Sequence, residues 1–215
     1  MEQRSLAAIL FDLDGTLIDS IELILRSYEH TLEAHGKEAV ERGRLVTSLG
    51  IPLSTHLSEF SADAAEVEAM VITYRAFNHA HHDELVEPYP GVAQALEALT
   101  ARAVPLAIVT SKGSEMAWRG LRLCGIAEHF DVLVGFDDVD RHKPDPMPVL
   151  VGCERLGLEA SSCAYVGDSV HDMAAACAAG ARAVGAGWGP FDHDDLCAAG
   201  AAPLLTDPAQ MVELA

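Results

Sequence analysis

A short apolar run that ends in two carboxylates is the most informative feature of this 215-residue chain. Residues 8–11 carry no charge, which predicts a strand buried on both faces, and Asp12 and Asp14 follow it. Gly15 and Thr16 then interrupt the strand. Ligands of open α/β sheets bind beyond the carboxyl ends of strands, and adjacent carboxylates repel each other unless a cation or a shared proton intervenes. The run therefore indicates a metal and acid–base site, with a solvated turn as the alternative.

Two later segments place polar side chains at comparable positions. Thr110 and Ser111 directly follow the apolar run 106–109, and Lys112 comes next and could face the same cleft. Lys143 lies in a stiff, extended stretch with prolines on its C-terminal side, just before a helical pattern. A single lysine is normally a solvated surface group, so its assignment depends on the surrounding motif.

A third later segment ends in carboxylates again. The apolar run 163–166 is followed by a glycine and then by Asp168, and Asp172 lies in the first turn of the helical pattern that comes next. Read in order, the four segments form the patterns D-x-D-G-T, T-S, K-P-x-P and G-D-x-x-x-D. This set resembles the four motifs of the haloacid dehalogenase-like phosphohydrolases, and the resemblance covers nearly the whole chain. It implies phosphoryl transfer through an aspartyl-phosphate intermediate.

The resemblance implies a role for each catalytic residue. Asp12 is the expected nucleophile, and Asp14 is expected to protonate the leaving oxygen and then to deprotonate the attacking water. Thr110 and the amide of Ser111 are expected to hold phosphoryl oxygens. Lys143 is expected to balance charge between the nucleophile and the phosphate.

Mg²⁺ is the cofactor that the resemblance implies. Asp12 and Asp168 are the expected carboxylate ligands, and the backbone carbonyl of Asp14 is a third ligand. Asp172 is expected to be a further ligand or an outer partner that holds metal-bound water. Its alternative role is that of an ordinary carboxylate in the first turn of a helix.

The order of elements predicts an α/β fold. Beyond residue 88, strands near 105–110, 131–134, 163–166 and 182–185 alternate with helices near 92–101, 114–123, 145–156 and 170–179. This succession predicts a mainly parallel sheet with right-handed crossovers. Residues 17–87 have helical apolar spacing and directly follow the first motif, so they resemble the inserted α-helical cap of this family. The expected domains are a Rossmann-like core, residues 1–16 and 88–215, and a cap, residues 17–87.

One stretch of the expected cap bears on the substrate. Residues 74–86 resemble the corresponding stretch in the pyrophosphatase branch of the superfamily. Arg75 and His79, together with His81 and His82, form a local cationic cluster that suits a second phosphate group. A polar helix end and a fortuitous metal binder are the alternatives.

The substrate has several candidates. Inorganic pyrophosphate is the first, and 2-phosphoglycolate or another small phosphomonoester is the second, because residues 50–53 resemble the cap loop of phosphoglycolate phosphatases. A sugar phosphomutase would use the same motif residues. A non-enzymatic regulatory relative would have lost the nucleophile, whereas Asp12 is present.

Composition excludes some partners. The formal net charge of −19 argues against nucleic acid and against an anionic membrane. No apolar run approaches the roughly 20 residues of a membrane span, and the N-terminus lacks a signal-peptide pattern. Five dispersed cysteines indicate reduced thiols and a cytoplasmic location. The expected partner is a small phosphorylated substrate, and both a monomer and a dimer remain open.

Overall fold

The computed structural model describes residues 6–47 and 49–215. In chain order its helices and strands are β1 (Ala8–Phe11), β2 (Ile18–Asp19), α1 (Ile21–Ala34), α2 (Arg42–Val46), α3 (Leu53–Leu57), α4 (Ala64–Leu85), β3 (Glu87–Pro88), α5 (Val92–Ala101), β4 (Leu106–Val109), α6 (Ser114–Leu123), β5 (Val132–Val134), α7 (Met147–Arg155), β6 (Cys163–Gly167), α8 (Val170–Ala179), β7 (Arg182–Ala186), α9 (His193–Ala198) and β8 (Leu204–Leu205). The four strands and four helices predicted beyond residue 88 lie within two residues of these bounds.

The core is a six-stranded sheet in the order β5-β4-β1-β6-β7-β8. Every neighbouring pair is parallel. Strand β1 lies between β4 and β6, and all four of its residues are buried, as its uncharged sequence predicts. The chain leaves β1 toward β4 and β5 and later returns to β6 on the other side, so the order reverses beside β1. Crevices at such reversals are the usual ligand sites of open α/β sheets.

Helices cover both faces of this sheet. On one face, Ile9 and Phe11 of β1 pack in a cluster with residues of α5 and α6. On the other face, Ala8 and Leu10 pack in a second cluster with residues of α7 and α8. The alternation follows from the two-residue period of a strand. The α/β fold class predicted from the sequence is thereby confirmed.

A separate group of helices follows β1. We call residues 21–85, which contain helices α1 to α4, the cap segment. Leu25, Tyr28 and Leu32 lie on one face of α1 at helical spacing and pack with Leu57 and Met70 in a third apolar cluster. The chain enters and leaves the segment through β2 and β3, a short antiparallel pair that the sequence analysis did not predict. Two-residue strands are too short to produce a periodic pattern.

The cap segment contains a buried histidine with consequences for stability. His56 is 0% exposed, and its ring lies 4.7 Å from that of Tyr28 and 5.5 Å from that of Phe60. Neither ring nitrogen has a hydrogen-bond partner among residues 6–47 and 49–215. Burial lowers the pKa of His56, and of the two nearby charges Glu59 opposes this shift and Arg44 adds to it.

We expect the free energy of unfolding to decrease as the pH falls below about 6.5, the pKa of an unperturbed histidine. Below that pH the unfolded chain binds a proton at His56 that the folded chain does not yet accept. The contribution of this histidine is at most about 1.4 kcal/mol per pH unit. Urea denaturation at pH 7.5 and at pH 5.5 measures this decrease in the free energy of unfolding. The variant His56→Phe should show a smaller decrease between these two pH values than wild type. The exposed control His30→Phe should show the same decrease as wild type. Equal decreases in all three proteins would contradict the assignment of this pH dependence to His56.

Two further findings concern the chain as a whole. In residues 6–47 and 49–215, no helix has both the length and the apolar character that crossing a membrane requires. All five cysteines carry free thiols.

Candidate active site

The carboxyl ends of the three central strands bring together the predicted motif residues. Asp12 directly follows β1, Thr110 follows β4 and Asp168 follows β6, and each side chain is buried. Lys143 reaches the same point from the loop between β5 and α7 and is 2% exposed. Strands that are parallel and adjacent end at one edge, so residues far apart in sequence become neighbours.

Three buried carboxylates form a cluster at this edge. Asp12, Asp168 and Asp172 each offer an oxygen within 4.8 Å of those of the other two. Burial raises the pKa of Asp12 to about 7, with the charge of Lys143 acting against the shift. Burial, together with the neighbouring carboxylates, raises the pKa of Asp168 well above its usual value. A cluster of three carboxylates with one lysine has excess negative charge, and its hard oxygen donors suit Mg²⁺.

Asp172 uses its oxygens for protein contacts. Its Oδ1 accepts hydrogen bonds from Lys143 Nζ at 2.6 Å and from the hydroxyl of Tyr165 at 3.0 Å. Its Oδ2 accepts from the backbone amide of Ser169 at 3.0 Å and from the Ser169 hydroxyl at 2.6 Å. Burial would raise the pKa of Asp172, but the charge of Lys143 and these hydrogen bonds lower it. Of the two expected roles, this arrangement favours an outer partner over a direct metal ligand.

Lys143 is held between two carboxylates. Its Nζ lies 3.0 Å from Asp12 Oδ1 and 2.6 Å from Asp172 Oδ1. Burial would lower the pKa of Lys143, but the charges of Asp12 and Asp172 raise it, so the ammonium group stays protonated. The lysine therefore supplies a fixed positive charge next to the expected nucleophile.

The loop after β4 connects the core with the cap segment. The Thr110 hydroxyl accepts a hydrogen bond from the backbone amide of Lys112 at 3.2 Å. The Ser111 hydroxyl donates to the carbonyl of Gly50 at 2.6 Å. Because Gly50 belongs to the cap segment, the side chain of Ser111 contacts the cap. The contact of its backbone amide with a phosphoryl oxygen stays a prediction.

Asp14 and Lys112 form an ion pair that the sequence analysis did not assign. Lys112 Nζ lies 2.6 Å from Asp14 Oδ1, and the buried Ser20 hydroxyl donates to the same oxygen at 2.5 Å. Burial would raise the pKa of Asp14, but the charge of Lys112 and the two hydrogen bonds lower it. The position of Lys112 two residues after Thr110 is the sequence signal that places it at the strand end.

Two further residues support the loop after β1. The Trp188 indole donates to the carbonyl of Thr16 at 2.8 Å, and the Thr16 hydroxyl donates to Asp168 Oδ1 at 2.7 Å. Gly15 has φ +83°, and a Cβ there would overlap the carboxylate of Asp168. Glycine is required at this position both for its conformation and for its small size. Trp188 lies beyond the predicted motifs, and no sequence pattern identified it.

A cavity of about 430 Å³ separates this cluster from the cap segment. Asp12, Asp14 and Thr110 lie at one end, and Arg75 and His79 of helix α4 line the cap side. Burial, together with the charges of neighbouring arginines, lowers the pKa of His79 from 6.5, so its ring is neutral at pH 7. His79 can therefore offer a hydrogen bond, whereas Arg75 offers a charge.

The other two histidines of the predicted cationic cluster do not line the cavity. His82 is buried, and its Nδ1 lies 2.8 Å from a carboxylate oxygen of Asp83. His81 lies 3.6 Å from a carboxylate oxygen of Glu84. The geometry thus brings Arg75 and His79 to the cavity and leaves His81 and His82 outside it, because helix α4 turns these two side chains toward other partners.

Comparison with known proteins identifies the family. Residues 9–186 match the sequence model of the haloacid dehalogenase-like hydrolases. The chain belongs to this family. The family resemblance inferred from the four motifs is thereby confirmed.

Similar proteins cover most of this hydrolase. It is 42% identical over 188 residues to the pyrophosphatase PpaX of Bacillus velezensis, which covers 87% of this chain and 86% of the relative. It is 42% identical over 180 residues to the pyrophosphatase PpaX of Halalkalibacterium halodurans, covering 84% and 83%. A predicted phosphoglycolate phosphatase from Haemophilus somnus has a structure with TM-score 0.88 and 25% identity, covering 99% of both chains.

Proposed function

We propose that this hydrolase cleaves inorganic pyrophosphate with Mg²⁺ as cofactor, through an aspartyl-phosphate intermediate. The observation that carries the proposal is the buried cluster of Asp12, Asp168 and Lys143 at one end of a cavity that also contains Lys112 and Arg75. A carboxylate nucleophile with a fixed positive charge beside it is what phosphoryl transfer to Asp12 needs. Two further cations in the same cavity suit a leaving group that is itself a phosphate. The identity to two pyrophosphatases supports this substrate.

The reaction has two balanced steps. In the first, a carboxylate oxygen of Asp12 forms a bond to one phosphorus and the bridging P–O bond breaks. Asp14, whose pKa is lowered by Lys112 in the free protein, takes up a proton as the substrate binds and gives it to the departing phosphate. In the second, water attacks the phosphorus of the aspartyl phosphate, its proton passes to Asp14, and the bond to Asp12 breaks. One pyrophosphate and one water thus give two phosphates, and both aspartates return to their initial states.

Asp12 and Asp168 are the residues that would hold Mg²⁺, with the backbone carbonyl of Asp14 as a proposed third ligand. Bound Mg²⁺ neutralises negative charge on the transferring phosphoryl group and on these carboxylates. The chain's own contribution is to keep Asp12 buried beside Lys143 and to hold Asp168 through the Thr16 hydroxyl. Asp172 positions Lys143 from the other side.

A small phosphomonoester, such as 2-phosphoglycolate, is the second candidate substrate. Part of the cavity wall is apolar, with Ile21 and Ile24 of α1 and Val71 of α4 facing it. Such a wall suits an organic leaving group better than a phosphate. Similarity to the Haemophilus somnus structure supports the same candidate.

A phosphate-release assay over pyrophosphate, 2-phosphoglycolate and sugar phosphates tests the substrate. We expect the highest kcat/KM for pyrophosphate, loss of activity in EDTA and its return with Mg²⁺. Ca²⁺ should restore little, because it favours looser and higher coordination. A higher kcat/KM for 2-phosphoglycolate would support the second candidate instead, and isomerisation of a sugar phosphate without phosphate release would indicate a mutase.

The variant Arg75→Ala tests the leaving-phosphate contact on the cap side. Losing one charge-assisted hydrogen bond to phosphate costs about 1.5–3 kcal/mol, so kcat/KM for pyrophosphate should fall about ten- to a hundredfold. Hydrolysis of phenyl phosphate, whose leaving group has no second phosphate, should fall less. Arg122→Ala, an exposed arginine that does not line the cavity, is the control. Equal losses on both substrates would mean that Arg75 supports the cap segment, and would remove this argument for pyrophosphate.

The setting of the reaction is part of the proposal. We place the enzyme in the cytoplasm, where free thiols are stable, because none of its five cysteines is paired with another. A small phosphorylated compound is the proposed partner.

A further inference from the structure

We propose that Lys112 forms a second anion subsite, distinct from the Lys143 site, which binds the negatively charged leaving group of the substrate. The inference deepens the proposed function and rests on it, because that function sets the roles of Asp12 and Asp14. It assigns to Lys112 a specificity for substrates whose leaving group carries its own charge.

The two lysines near the catalytic aspartates contact different carboxylates. Lys143 Nζ lies 3.0 Å from Asp12, the nucleophile, whereas Lys112 Nζ lies 2.6 Å from Asp14. The nucleophile touches the phosphoryl group that is transferred, and the acid touches the bridging oxygen on the opposite side. An ammonium group within hydrogen-bond distance of the acid therefore lies next to the leaving group. Lys143 thus lies next to the phosphoryl group that is transferred, and Lys112 lies next to the leaving group.

The surroundings of Lys112 allow its ammonium group to leave Asp14 and to contact a bound substrate instead. Its side chain is 11% exposed and lines the cavity, and Asp14 is its ion-pair partner in the described parts of the chain. The Ser20 hydroxyl donates to the same oxygen of Asp14 at 2.5 Å. When Lys112 turns to an incoming anion, Asp14 therefore keeps one hydrogen bond that holds its carboxyl group in place. The lysine side chain has a flexible four-carbon stem, so a small movement of Nζ is sufficient.

The backbone of Lys112 fixes where that stem begins. Its amide donates to the Thr110 hydroxyl at 3.2 Å, and its carbonyl accepts from the amide of Phe136 at 3.0 Å. Lys112 is thus anchored on the core, whereas Arg75 approaches the same cavity from the cap segment. The subsite consequently has one cation on the core side, whose backbone is anchored, and an exposed cation on the cap side.

The test compares two substrates and three variants. Pyrophosphate releases a phosphate, whereas phenyl phosphate releases a phenol without charge. The ratio of kcat/KM for pyrophosphate to kcat/KM for phenyl phosphate therefore measures how much the subsite favours a charged leaving group. We expect Lys112→Met to lower this ratio about ten- to a hundredfold, because a charge-assisted contact to the leaving phosphate is lost. Lys112→Arg should keep most of the ratio, since it retains the charge. Lys37→Met is the matched control, because Lys37 forms an ion pair of 2.8 Å with Glu66 outside the cavity.

The outcomes separate this inference from the function on which it rests. An unchanged ratio in Lys112→Met, or an equal decrease in Lys112→Arg, would overturn the subsite, since charge at the leaving group would then be irrelevant. If the wild-type enzyme does not hydrolyse pyrophosphate, the proposed function is wrong. The subsite is then tested by the same ratio with 2-phosphoglycolate, whose leaving group carries a carboxylate.

Discussion

Asp12→Asn should lower kcat for pyrophosphate by at least about a thousandfold, because an amide cannot form the acyl phosphate through which the reaction proceeds. Asparagine has nearly the shape of aspartate, and Asp12 lies in a cluster with excess negative charge. The variant should therefore fold at least as stably as wild type. Phosphate release under saturating Mg²⁺ measures the loss, and thermal unfolding verifies the fold.

A matched control is available close by. Asp19 lies outside the cluster, and its carboxylate accepts a hydrogen bond from the backbone amide of Ile21 at 3.2 Å. Asp19→Asn should keep near wild-type activity. Retention of substantial steady-state activity in Asp12→Asn would refute the covalent mechanism, and an equal loss in Asp19→Asn would point to a general effect of aspartate replacement.

Lys143→Met should lower the free energy of unfolding by about 3–5 kcal/mol, the usual effect of leaving a buried charge without its partner. Lys143 is 2% exposed and contacts Asp12 and Asp172, so its removal leaves the three clustered carboxylates without a neighbouring cation. Methionine has a similar length and fills the space of the lysine side chain. The decrease in the free energy of unfolding is therefore caused mainly by the missing charge and not by a cavity. Urea denaturation without metal measures the effect, and Mg²⁺ should stabilise the variant more than wild type.

A second variant keeps this prediction testable if Lys143→Met does not fold. The double variant Lys143→Met with Asp172→Asn removes one cation and one carboxylate together, and it should be less destabilised than the sum of the two single changes. The control Lys37→Met breaks a more exposed ion pair and should cost about 1 kcal/mol or less. A change below about 1 kcal/mol in Lys143→Met would contradict the view that this lysine neutralises the cluster.

Local pattern was sufficient to predict the sheet and the positions of the motif residues on it. Residues 8–11 have no polar side chain, and the structure buries all four of them in the central strand. Asp12, Thr110 and Asp168 each follow an apolar run, and parallel strands that pair in one sheet end at one edge. Their proximity therefore follows from strand periodicity and the handedness of the crossovers.

The sequence was less informative about the cap segment. It suggested one cationic cluster for Arg75 and the nearby histidines, because all of them fall within eight residues of a helical stretch. In the structure, Arg75 and His79 line the cavity, whereas the buried His82 faces Asp83. Which side of a helix faces a cleft depends on how the helix packs against its neighbours, and α4 has only a weak apolar stripe to indicate it.

The sequence by itself determined the fold class, the family and the strand ends at which the motif residues lie, since these depend on patterns that span a few residues. Only the tertiary structure decided which polar groups meet: Lys112 with Asp14, 98 residues apart, and the Trp188 indole with the Thr16 carbonyl, 172 residues apart. Both pairs join loops from different strands. Their contacts depend on distances of a few ångströms between elements, and a one-dimensional pattern of polar and apolar residues does not encode such distances.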